Sequence, residues 1–432
     1  MRGFGSRLIK TFGNQPFRLL IVVLVAVPFL WQFVVAGILV PLSSLDVMRD
    51  FRVYYRAAQL VSIGKSSYDL FPTADFSQGI TYIYSPALAF VLQPLASLPL
   101  GTAQMFWMSW SLCCLVVSVI ATAKAAGART VEHWFWVGIA FLSSFPVVLN
   151  LQLGQLNITL LALISVWLWA YVRGRRAGWL LVGVATAVKL YSAPLLLLPL
   201  VRRDFRALVL AGIGGLAVLL VGVQYLAQFV FDVLPRLNVV SEAANNTSIL
   251  ASIARLIHPQ DIHATHDASW WDLKLIALLL ALATIATCVF ALRRLTNSAD
   301  GRQLGGALML TAGPLFGSIV WEQHLVMLLP GIVVAAPALW RRRDRLGIAA
   351  LIVTTGWLAL AYPLIAGILA VQFHYAVWVA ILYADQGGVA ALLVFLVVLR
   401  ACFLLPVRER ADSSGGRIPA RPQAPKGDVY LA

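Results

Sequence analysis

The residues of this chain whose types could do chemistry are few, and most lie near the ends of long apolar runs. Asp46 and Asp50 follow the first such run and are four residues apart, so they share a face if that run continues as a helix. An aspartate is ionised at neutral pH, and a positioned carboxylate can take a proton from a hydroxyl group. The alternative for either residue is a solvated carboxylate in an exterior loop.

Cationic and titratable side chains form a second group. Lys189 interrupts the apolar stretch VATAVKLYSAPLLLLP, and ionisable residues at membrane depth are costly and usually functional. A lysine that snorkels to the membrane interface is the alternative. Glu322 and His324 stand in SIVWEQHLVMLLP, in a tight turn between two apolar runs. A lysine and a histidine placed together can stabilise the charge that develops on a departing phosphate.

Amide side chains form a third group, because amides can hold sugar hydroxyls. Gln155 and Asn157 lie in NLQLGQLN, and Asn246 precedes Ser248 in NNTSILASIARL. The alternatives are a simple turn at Gln155 and chance matches to the N-glycosylation tripeptide at both asparagines. One carboxylate, one lysine, one histidine and several amides suit transfer of a sugar from a phosphate leaving group. This set needs no metal or cofactor, and no DxD motif is present to hold a metal.

The composition indicates that these residues are positioned by membrane helices. The 432 residues are 60% hydrophobic and 12% charged, roughly half the charged fraction of an ordinary soluble domain. Several apolar runs reach the roughly 20 residues that span a bilayer. The net charge of +15 would suggest nucleic acid in a soluble protein, but here the basic residues gather in short loops between apolar runs. We therefore expect membrane lipids around the chain and no nucleic acid.

The basic clusters predict the topology, since clusters on one side of a membrane are separated by an even number of crossings. The sequence predicts an all-α polytopic bundle of about twelve transmembrane segments, an uncleaved first helix and both termini in the cytoplasm. The expected segments are 19–41, 101–123, 134–150, 155–172, 177–189, 190–201, 205–228, 272–292, 304–320, 324–340, 346–370 and 388–405. The pair 177–189 and 190–201 is either two half-length helices that meet at Lys189 or one bent span.

Two longer segments are expected on the extracytoplasmic side, at about 42–100 and 229–271. Within the first, residues 86–98 predict a helix that lies at the membrane interface, because this run is short and interrupted by proline. The membrane domain is expected to cover residues 1–410. The tail, 411–432, is rich in proline, glycine and charge, which predicts a disordered cytoplasmic segment.

Six stretches in this order resemble glycosyltransferase family 87, a GT-C family of polytopic enzymes that includes mycobacterial mannosyl- and arabinosyltransferases. They are DFRVYYRAAQLVSIGKSSYDL, YIYSPALAFVLQPLASLP, LQLGQLNITLLAL, GVATAVKLYSAPLLLLPLVRRDFRAL, NNTSIL and GSIVWEQHLVMLLP, which together span most of residues 45–335. The resemblance implies a polyprenyl-phosphate sugar as donor, the outer face of the plasma membrane as the place of reaction, and inversion at the sugar carbon.

The resemblance also implies roles for individual residues. Asp50, which heads DFRVYY, matches the family's general base, with Asp46 in reserve. His324 matches the family's WxxH turn and is expected to be catalytic. Lys189 matches a lysine that the family follows closely with proline, although KLYSAP departs from that tighter spacing. The substrate-binding residues expected are Lys189, Arg52, Tyr55, Tyr84, Gln155, Asn157, Asn246, Ser248 and Glu322.

Four tyrosines, Tyr54, Tyr55, Tyr82 and Tyr84, could stack on sugars, and an aromatic belt at the membrane interface is their alternative. The resemblance thus implies a hexosyltransferase, with mannose the preferred sugar and a glycan or glycolipid as acceptor. The competing hypotheses are a polytopic transporter or lipid flippase, and a non-catalytic scaffold of envelope glycan assembly. A transporter would favour internal repeats and charges spread through several helices, and neither pattern is evident.

Overall fold

The computed structural model describes residues 26–44, 47–69, 82–236, 240–241, 246–257, 265–266, 271–317, 319–361 and 377–404. Within these ranges the chain is almost wholly helical, which confirms the predicted all-α class. The described part also contains one short antiparallel pair of strands, β1 (Val240–Ser241) and β2 (Thr265–His266). Asp46 and the predicted tail 411–432 lie outside the described residues.

Eighteen helical segments are numbered in chain order in the described part. The first nine are α1 (Ala26–Ser43), α2 (Arg49–Ser62), α3 (Pro86–Val91), α4 (Gln93–Ala96), α5 (Leu100–Ala126), α6 (Val131–Leu142), α7 (Phe145–Leu153), α8 (Asn157–Val172) and α9 (Trp179–Val188). The others are α10 (Leu190–Val201), α11 (Phe205–Leu220), α12 (Val223–Val233), α13 (Ile249–Ile257), α14 (Trp271–Arg294), α15 (Ala299–Phe316), α16 (Glu322–Arg341), α17 (Arg345–Gly356) and α18 (Val377–Leu404).

Five described helices are long and apolar enough to cross a membrane, and the number rises to seven if each of two bent pairs is one span. The five lie at α1, α5, α14, α16 and α18. Four further apolar helices, α8, α9, α10 and α17, are shorter than a full crossing. The chain is therefore a helical membrane protein, whereas the predicted count of about twelve segments stays a prediction.

Two of the predicted segments are bent. Segment 134–150 is formed by α6 and α7, which meet at 54°. Pro146 stands in the first turn of α7, where its missing N–H and its ring prevent α6 from continuing. Segment 205–228 is broken between α11 and α12, which meet at 87° around Gly222. Gly222 has a φ of +80°, a left-handed conformation that ends a helix and that glycine adopts without steric cost.

Helices α8, α15 and α16 form the centre of the bundle. Their side chains are buried on nearly all faces, as expected for helices that are apolar all round and surrounded by other helices. Helix α8 packs along α5, and α15 packs against both α16 and α18. Helices α11 and α14 instead expose apolar side chains such as Val209, Leu216 and Leu279. Those faces suit contact with lipid, because a membrane places apolar surface against hydrocarbon.

Close packing of α9 on α11 depends on glycine. A Cβ atom at Gly183 would lie 1.8 Å from the Ala211 carbonyl oxygen, and one at Gly214 would lie 2.1 Å from that of Leu180. Small residues of this kind let two membrane helices approach backbone to backbone. The contact fixes α9, and therefore the position of Lys189 at its end.

The predicted outer segment 42–100 contains regular structure. Helix α2 is a well-formed amphipathic helix, and the predicted helix 86–98 is present as the short helices α3 and α4. Helix α2 packs on both of them. At Lys189 the backbone is extended, with φ −150° and ψ 118°, between the end of α9 and the start of α10. Two half-length helices therefore meet at Lys189.

Candidate active site

Asp50 lies in the first turn of α2, where the helix dipole favours a negative charge. The helix begins just after Met48, which has a left-handed φ of +51°. The Asp50 side chain is 16% exposed, and its Oδ2 accepts a hydrogen bond from Gln155 Nε2. Asp50 is therefore a largely buried carboxylate that one amide holds in place while part of it stays accessible.

The turn between α7 and α8 brings Gln155 to this carboxylate. The Met48 N–H donates to the Gln152 carbonyl at 2.9 Å, and Trp107 Nε1–H donates to the Gly154 carbonyl at 2.9 Å. Gly154 has a φ of +66°, and a Cβ atom there would lie 2.7 Å from Phe51 Cβ. The turn can press against the first turn of α2 only because this position lacks a side chain.

Two tyrosines complete the surroundings of Gln155. The Tyr54 hydroxyl donates to the Tyr84 hydroxyl at 2.8 Å, and both hydroxyl oxygens lie 3.2 Å from Gln155 Oε1. Burial, together with the Asp50 charge, raises the pKa of Tyr84, so its hydroxyl remains a donor. The Gln155 side chain thus accepts from the Tyr84 hydroxyl through Oε1 and donates to Asp50 through Nε2.

The burial of Asp50 changes its acidity. Desolvation raises the pKa of the Asp50 carboxyl, while Arg49, the Gln155 hydrogen bond and Lys189 partly oppose that rise. The net pKa lies above the ordinary value for an aspartate. A carboxylate with a raised pKa is a stronger proton acceptor in its ionised form.

Lys189 occupies the centre of a second group of polar side chains. Its Nζ donates to Asn157 Oδ1 at 2.9 Å and lies 2.8 Å from His324 Nε2. The same Nζ lies 5.4 Å from the centroid of the Tyr84 ring, which is within cation–π distance when the amine is protonated. Lys189 therefore joins the Asp50 group, through Tyr84, to the histidine on α16.

Two asparagines fix the position of the Lys189 amine. Asn157 Nδ2 donates to Asn150 Oδ1 at 2.9 Å, which orients Asn157 Oδ1 toward Lys189. Asn150 Nδ2 donates to the carbonyl oxygens of Pro146 and Gln323, each at 2.7 Å. Both asparagines are almost fully buried. Their hydrogen bonds tie α7 and α8 to the turn that carries His324.

His324 lies in the tight first turn of α16, and its ring is held at both nitrogens. The Trp321 N–H donates to His324 Nδ1 at 3.2 Å, and Nε2 faces Lys189. The Tyr191 ring lies 5.3 Å away, centroid to centroid. His324 is buried, so its ring is shielded from bulk solvent and is in contact only with groups inside the site.

Asn246 and Ser248 support the His324 turn and the start of α13 through hydrogen bonds to backbone N–H groups. Asn246 Oδ1 accepts from the Val320 N–H at 2.9 Å and from the Ser248 N–H at 3.1 Å. Ser248 Oγ accepts from the Ala251 N–H at 3.1 Å, which caps α13. Both residues lie at the back of the His324 turn, where these side-chain oxygens bind backbone N–H groups.

Three of the predicted binding residues lie apart from the two hydrogen-bonded groups. The Tyr55 hydroxyl donates to the Leu98 carbonyl at 2.6 Å and so holds α2 to the segment after α4. Arg52 is half-buried two residues after Asp50, a spacing that points the two side chains in different directions. Glu322 is buried next to the His324 turn, and its carboxylate forms no hydrogen bond or ion pair within the part of the chain that the structure describes.

Tyr191 has no role predicted from the sequence. Asn150 is one of the amides of NLQLGQLN but is not among the predicted binding residues, and Tyr54 is predicted only as one of four aromatic candidates. The signal for Tyr54 was available, because it stands four residues after Asp50 and therefore shares its helix face. Asn150 stands seven residues before Asn157, across a turn, and no local spacing predicts their contact. Tyr191 follows Lys189 by two residues in an irregular stretch whose geometry is not periodic.

Comparisons with known proteins agree with the resemblance noted in the sequence. The family model of glycosyltransferase family 87 matches residues 82–312. A polyprenol-phosphate-mannose-dependent alpha-(1-2)-phosphatidylinositol mannoside mannosyltransferase of Mycolicibacterium smegmatis is 28% identical over 298 residues, which are 61% of this chain and 64% of that protein. The protein of that name from Mycobacterium tuberculosis is 26% identical over 68% of this chain and 71% of its own length.

A third relative carries a related name. The polyprenol-phosphate-mannose-dependent alpha-(1-2)-phosphatidylinositol pentamannoside mannosyltransferase of Mycobacterium tuberculosis is 30% identical over 303 residues. These residues are 67% of this chain and 64% of the relative. The chain thus spans slightly less than two thirds of two of these three relatives. The matched part includes the residues from Tyr84 to Lys189 that form most of the hydrogen-bonded site.

Proposed function

The chain belongs to glycosyltransferase family 87, and from that membership we propose that it transfers a mannosyl group from a polyprenol-phosphate mannose to a hydroxyl of a glycolipid acceptor. The observation that carries the proposal is the continuous contact from Asp50 through Gln155 and Tyr84 to Lys189 and His324. A carboxylate lies at one end of this chain of contacts, and groups that can carry positive charge or donate a proton lie at the other. The names of the relatives support the donor and point to a phosphatidylinositol mannoside as the acceptor class.

The proposed reaction is a single displacement with inversion at the sugar carbon. An acceptor hydroxyl oxygen forms the new bond to C1 of mannose as the bond from C1 to the phosphate oxygen breaks. The electron pair leaves with the phosphate, and the hydroxyl proton passes to Asp50. The raised pKa of Asp50 favours this proton transfer, and the Gln155 hydrogen bond keeps the carboxylate oriented.

Lys189 and His324 are proposed to hold the donor phosphate. Their facing nitrogens are 2.8 Å apart, so one phosphate oxygen can reach both. Donors that are already in place when negative charge develops on the leaving group lower the barrier without reorganisation. Asn150 and Asn157 keep the amine at that position. The step as proposed takes up the phosphate charge with these side chains and involves no metal ion.

We also propose the sidedness that the charge pattern favours. The arginines at 173–176, 202–203 and 341–343 lie at helix ends opposite to Asn157, Lys189 and His324. If the basic ends face the cytoplasm, the site lies on the outer face of the plasma membrane with both termini inside. A lipid-linked donor can then reach the site sideways from the bilayer, beside α3 and α4.

A transfer assay on the full-length chain tests the proposed function. Membranes that contain the protein would be given radiolabelled polyprenol-phosphate mannose with a phosphatidylinositol mannoside acceptor, and labelled glycolipid would be quantified. Asp50→Asn is expected to lower the rate about 10²- to 10⁴-fold, the usual range for loss of a general base. Asp232→Asn, at an exposed aspartate on α12, is the matched control.

Three outcomes decide the matter. Labelled product that depends on Asp50 but not on Asp232 supports the proposal, and EDTA is expected to leave that rate unchanged. Full activity of Asp50→Asn would show that another residue is the general base, and Asp46→Asn would be the next variant to assay. Absence of labelled product with every polyprenol-phosphate sugar and glycolipid tried would overturn the proposed activity.

A further inference from the structure

A second cavity lies at the end of the bundle opposite to the candidate active site. Its volume is about 310 Å³, within the range of small-ligand sites. Asn157 and Tyr171 mark the two ends of α8, which are about 21 Å apart at 1.5 Å per residue. Asn157 belongs to the active-site group, whereas Tyr171 lines this cavity. The two sites are therefore separate.

The cavity is strongly basic. Five arginines and one aspartate are among its lining residues, namely Arg175, Arg176, Arg202, Arg203, Arg302 and Asp204. The Asp204 carboxylate is already engaged, since Arg176 Nε donates to Asp204 Oδ2 at 2.9 Å. Arg175 and Arg203 form no ion pair with a carboxylate in the described ranges. Several positive charges that share one concave surface favour an anion there.

Two of the arginines are held in place by other contacts. Arg302 Nε donates to the Val172 carbonyl at 2.9 Å, and Arg202 donates to Asn297 Oδ1 at 2.9 Å. The Arg202 guanidinium also lies 5.8 Å from the centroid of the Tyr171 ring. Fixed guanidinium groups bind phosphate well, because the geometry of their N–H groups matches that of phosphate oxygens.

Tyr171 supplies an additional hydrogen-bond donor. Its hydroxyl oxygen is buried and has no hydrogen-bond partner within the described part of the chain. Buried hydroxyl groups are rarely left unpaired, so an oxygen-rich ligand in the cavity would satisfy this one. Tyr171 is also packed between the rings of Trp167 and Trp179, which fixes its position.

Two exposed apolar side chains are sequence neighbours of residues that line the cavity. Leu200 and Phe205 are each more than half exposed, and they adjoin the lining residues Pro199 and Asp204 in the chain. In a membrane such side chains contact acyl chains. The basic lining of the cavity is therefore close in the chain to apolar side chains that suit contact with lipid tails.

We propose that this cavity binds the phosphate group of an anionic membrane lipid, with Arg175, Arg203 and Tyr171 as ligands and the acyl chains along Leu200 and Phe205. Basic pockets between membrane helices on the cytoplasmic side recognise lipid headgroups by this chemistry. The cavity is distinct from the candidate active site, since none of its lining residues belongs to the Asp50 or Lys189 groups.

Thermal unfolding of the full-length protein in a neutral detergent tests the proposal. Phosphatidylglycerol would be added in one arm, phosphatidylcholine in a second and inorganic phosphate in a third. The expected result is a rise of several degrees in Tm with phosphatidylglycerol, since a ligand that binds only the folded state stabilises it. Native mass spectrometry would count the bound lipid molecules independently.

Two double variants distinguish lipid binding in the cavity from attraction of the lipid to positive charge elsewhere on the surface. Arg175→Gln with Arg203→Gln is expected to abolish the shift and the tightly bound lipid. Arg206→Gln with Arg342→Gln removes the same charge from exposed positions outside the cavity and is expected to retain both. If the first pair does not fold, Arg203→Gln alone serves in its place.

A shift with inorganic phosphate alone would identify a soluble anion as the source of the phosphate group. An equal shift in both double variants, or none with any additive, would overturn the proposal.

Discussion

Lys189 Nζ lies 2.8 Å from His324 Nε2, and the other ring nitrogen, Nδ1, accepts a hydrogen bond from the Trp321 N–H. Because Nδ1 accepts, the proton of the neutral ring is on Nε2 and faces the lysine. Two nitrogens in contact need one proton between them, so both side chains cannot be fully protonated in this arrangement. A phosphate oxygen that came between them could accept from both. In the proposed reaction, the pair exchanges its mutual hydrogen bond for hydrogen bonds to the donor phosphate.

The first prediction concerns the coupling of Lys189 and His324. Lys189→Met and His324→Gln are each expected to lower kcat/KM for the polyprenol-phosphate sugar about 10²-fold or more, the range for loss of one donor to a developing charge. Because the two side chains share one partner, the double variant should lose less than the product of the two single losses. A double-mutant cycle on kcat/KM measures this coupling.

The control for that cycle is Lys65→Met, at an exposed lysine after α2, which should leave kcat/KM unchanged. If the fold-loss in kcat/KM of the double variant equals the product of the two single losses, the contact between Lys189 and His324 has no role in donor use. Unchanged donor kinetics in Lys189→Met would identify a lysine that snorkels to the interface.

The second prediction concerns the pH dependence of the reaction. The base must be ionised, and burial raises the pKa of Asp50, so kcat/KM should fall with decreasing pH at a higher pH than an ordinary aspartate pKa of about 3.9 would give. The Gln155 hydrogen bond stabilises the ionised form and lowers this pKa. Gln155→Leu removes that bond, so the acidic limb should move to still higher pH. Profiles of log kcat/KM against pH would measure the shift.

Gln152→Leu is the control, because the Gln152 side chain lies outside the Asp50 and Lys189 groups while its backbone carbonyl is retained. Its acidic limb should coincide with that of the unmodified chain. A limb that stayed in place in Gln155→Leu, or moved to lower pH, would contradict the role of Gln155 in holding the ionised carboxylate.

The third prediction concerns Gly154, which allows the turn before α8 to contact α2. Gly154→Ala places a Cβ atom 2.7 Å from Phe51 Cβ and also strains the left-handed backbone. The backbone cost is about 1–2 kcal/mol, and overpacking adds about 1–3 kcal/mol. The transfer rate should fall by more than the loss of folded protein alone would cause, because Gln155 is displaced from Asp50. Thermal unfolding and the transfer assay would measure the two effects.

Gly127→Ala is matched to it, since Gly127 also has a left-handed φ of +76° but has no atom within 4 Å of its Cβ position. This control should show only the backbone cost and full activity. Equal effects of the two substitutions on stability and activity would mean that the contact with Phe51 is unimportant.

The residues of the site could be predicted from the sequence where a polar group interrupts an apolar run. Gln155 and Lys189 satisfy that condition and Asp50 follows such a run, and the structure brings the three together. Tyr55 and Arg52 were chosen from a motif, yet helix geometry places them off the Asp50 face, while Tyr54 lies on it. The assignment of roles to all of these residues stays a prediction.

The fold was less accessible to sequence reasoning at its bends and long-range contacts. The break at Gly222 depends on one left-handed residue, which hydropathy does not detect. The contact of Asn150 with the Gln323 carbonyl joins residues 173 positions apart, so only tertiary packing determines it. Helical class follows from composition, but the orientation of each half-length helix follows from neighbours such as α11.

The last prediction concerns the ion pair of Arg255 on α13 with Asp385 on α18. The Arg255 side chain is fully buried and that of Asp385 is 15% exposed, and Arg255 Nε donates to Asp385 Oδ1 at 3.0 Å. Asp385→Asn removes a carboxylate charge that pairs with a buried guanidinium, and loss of one partner of a buried ion pair costs about 3–5 kcal/mol of stability. The comparison variant is Asp300→Asn, whose partner Arg341 lies at 3.0 Å with both side chains about half exposed. An exposed pair of that kind contributes about 0–1 kcal/mol.

Helix α13 follows directly from Asn246 and Ser248, which brace the His324 turn, so Asp385→Asn should also lower transfer activity. Tm values of both variants in the same detergent would measure the difference. Equal Tm values would show that the buried pair is dispensable, and the His324 turn would then need no support from α18.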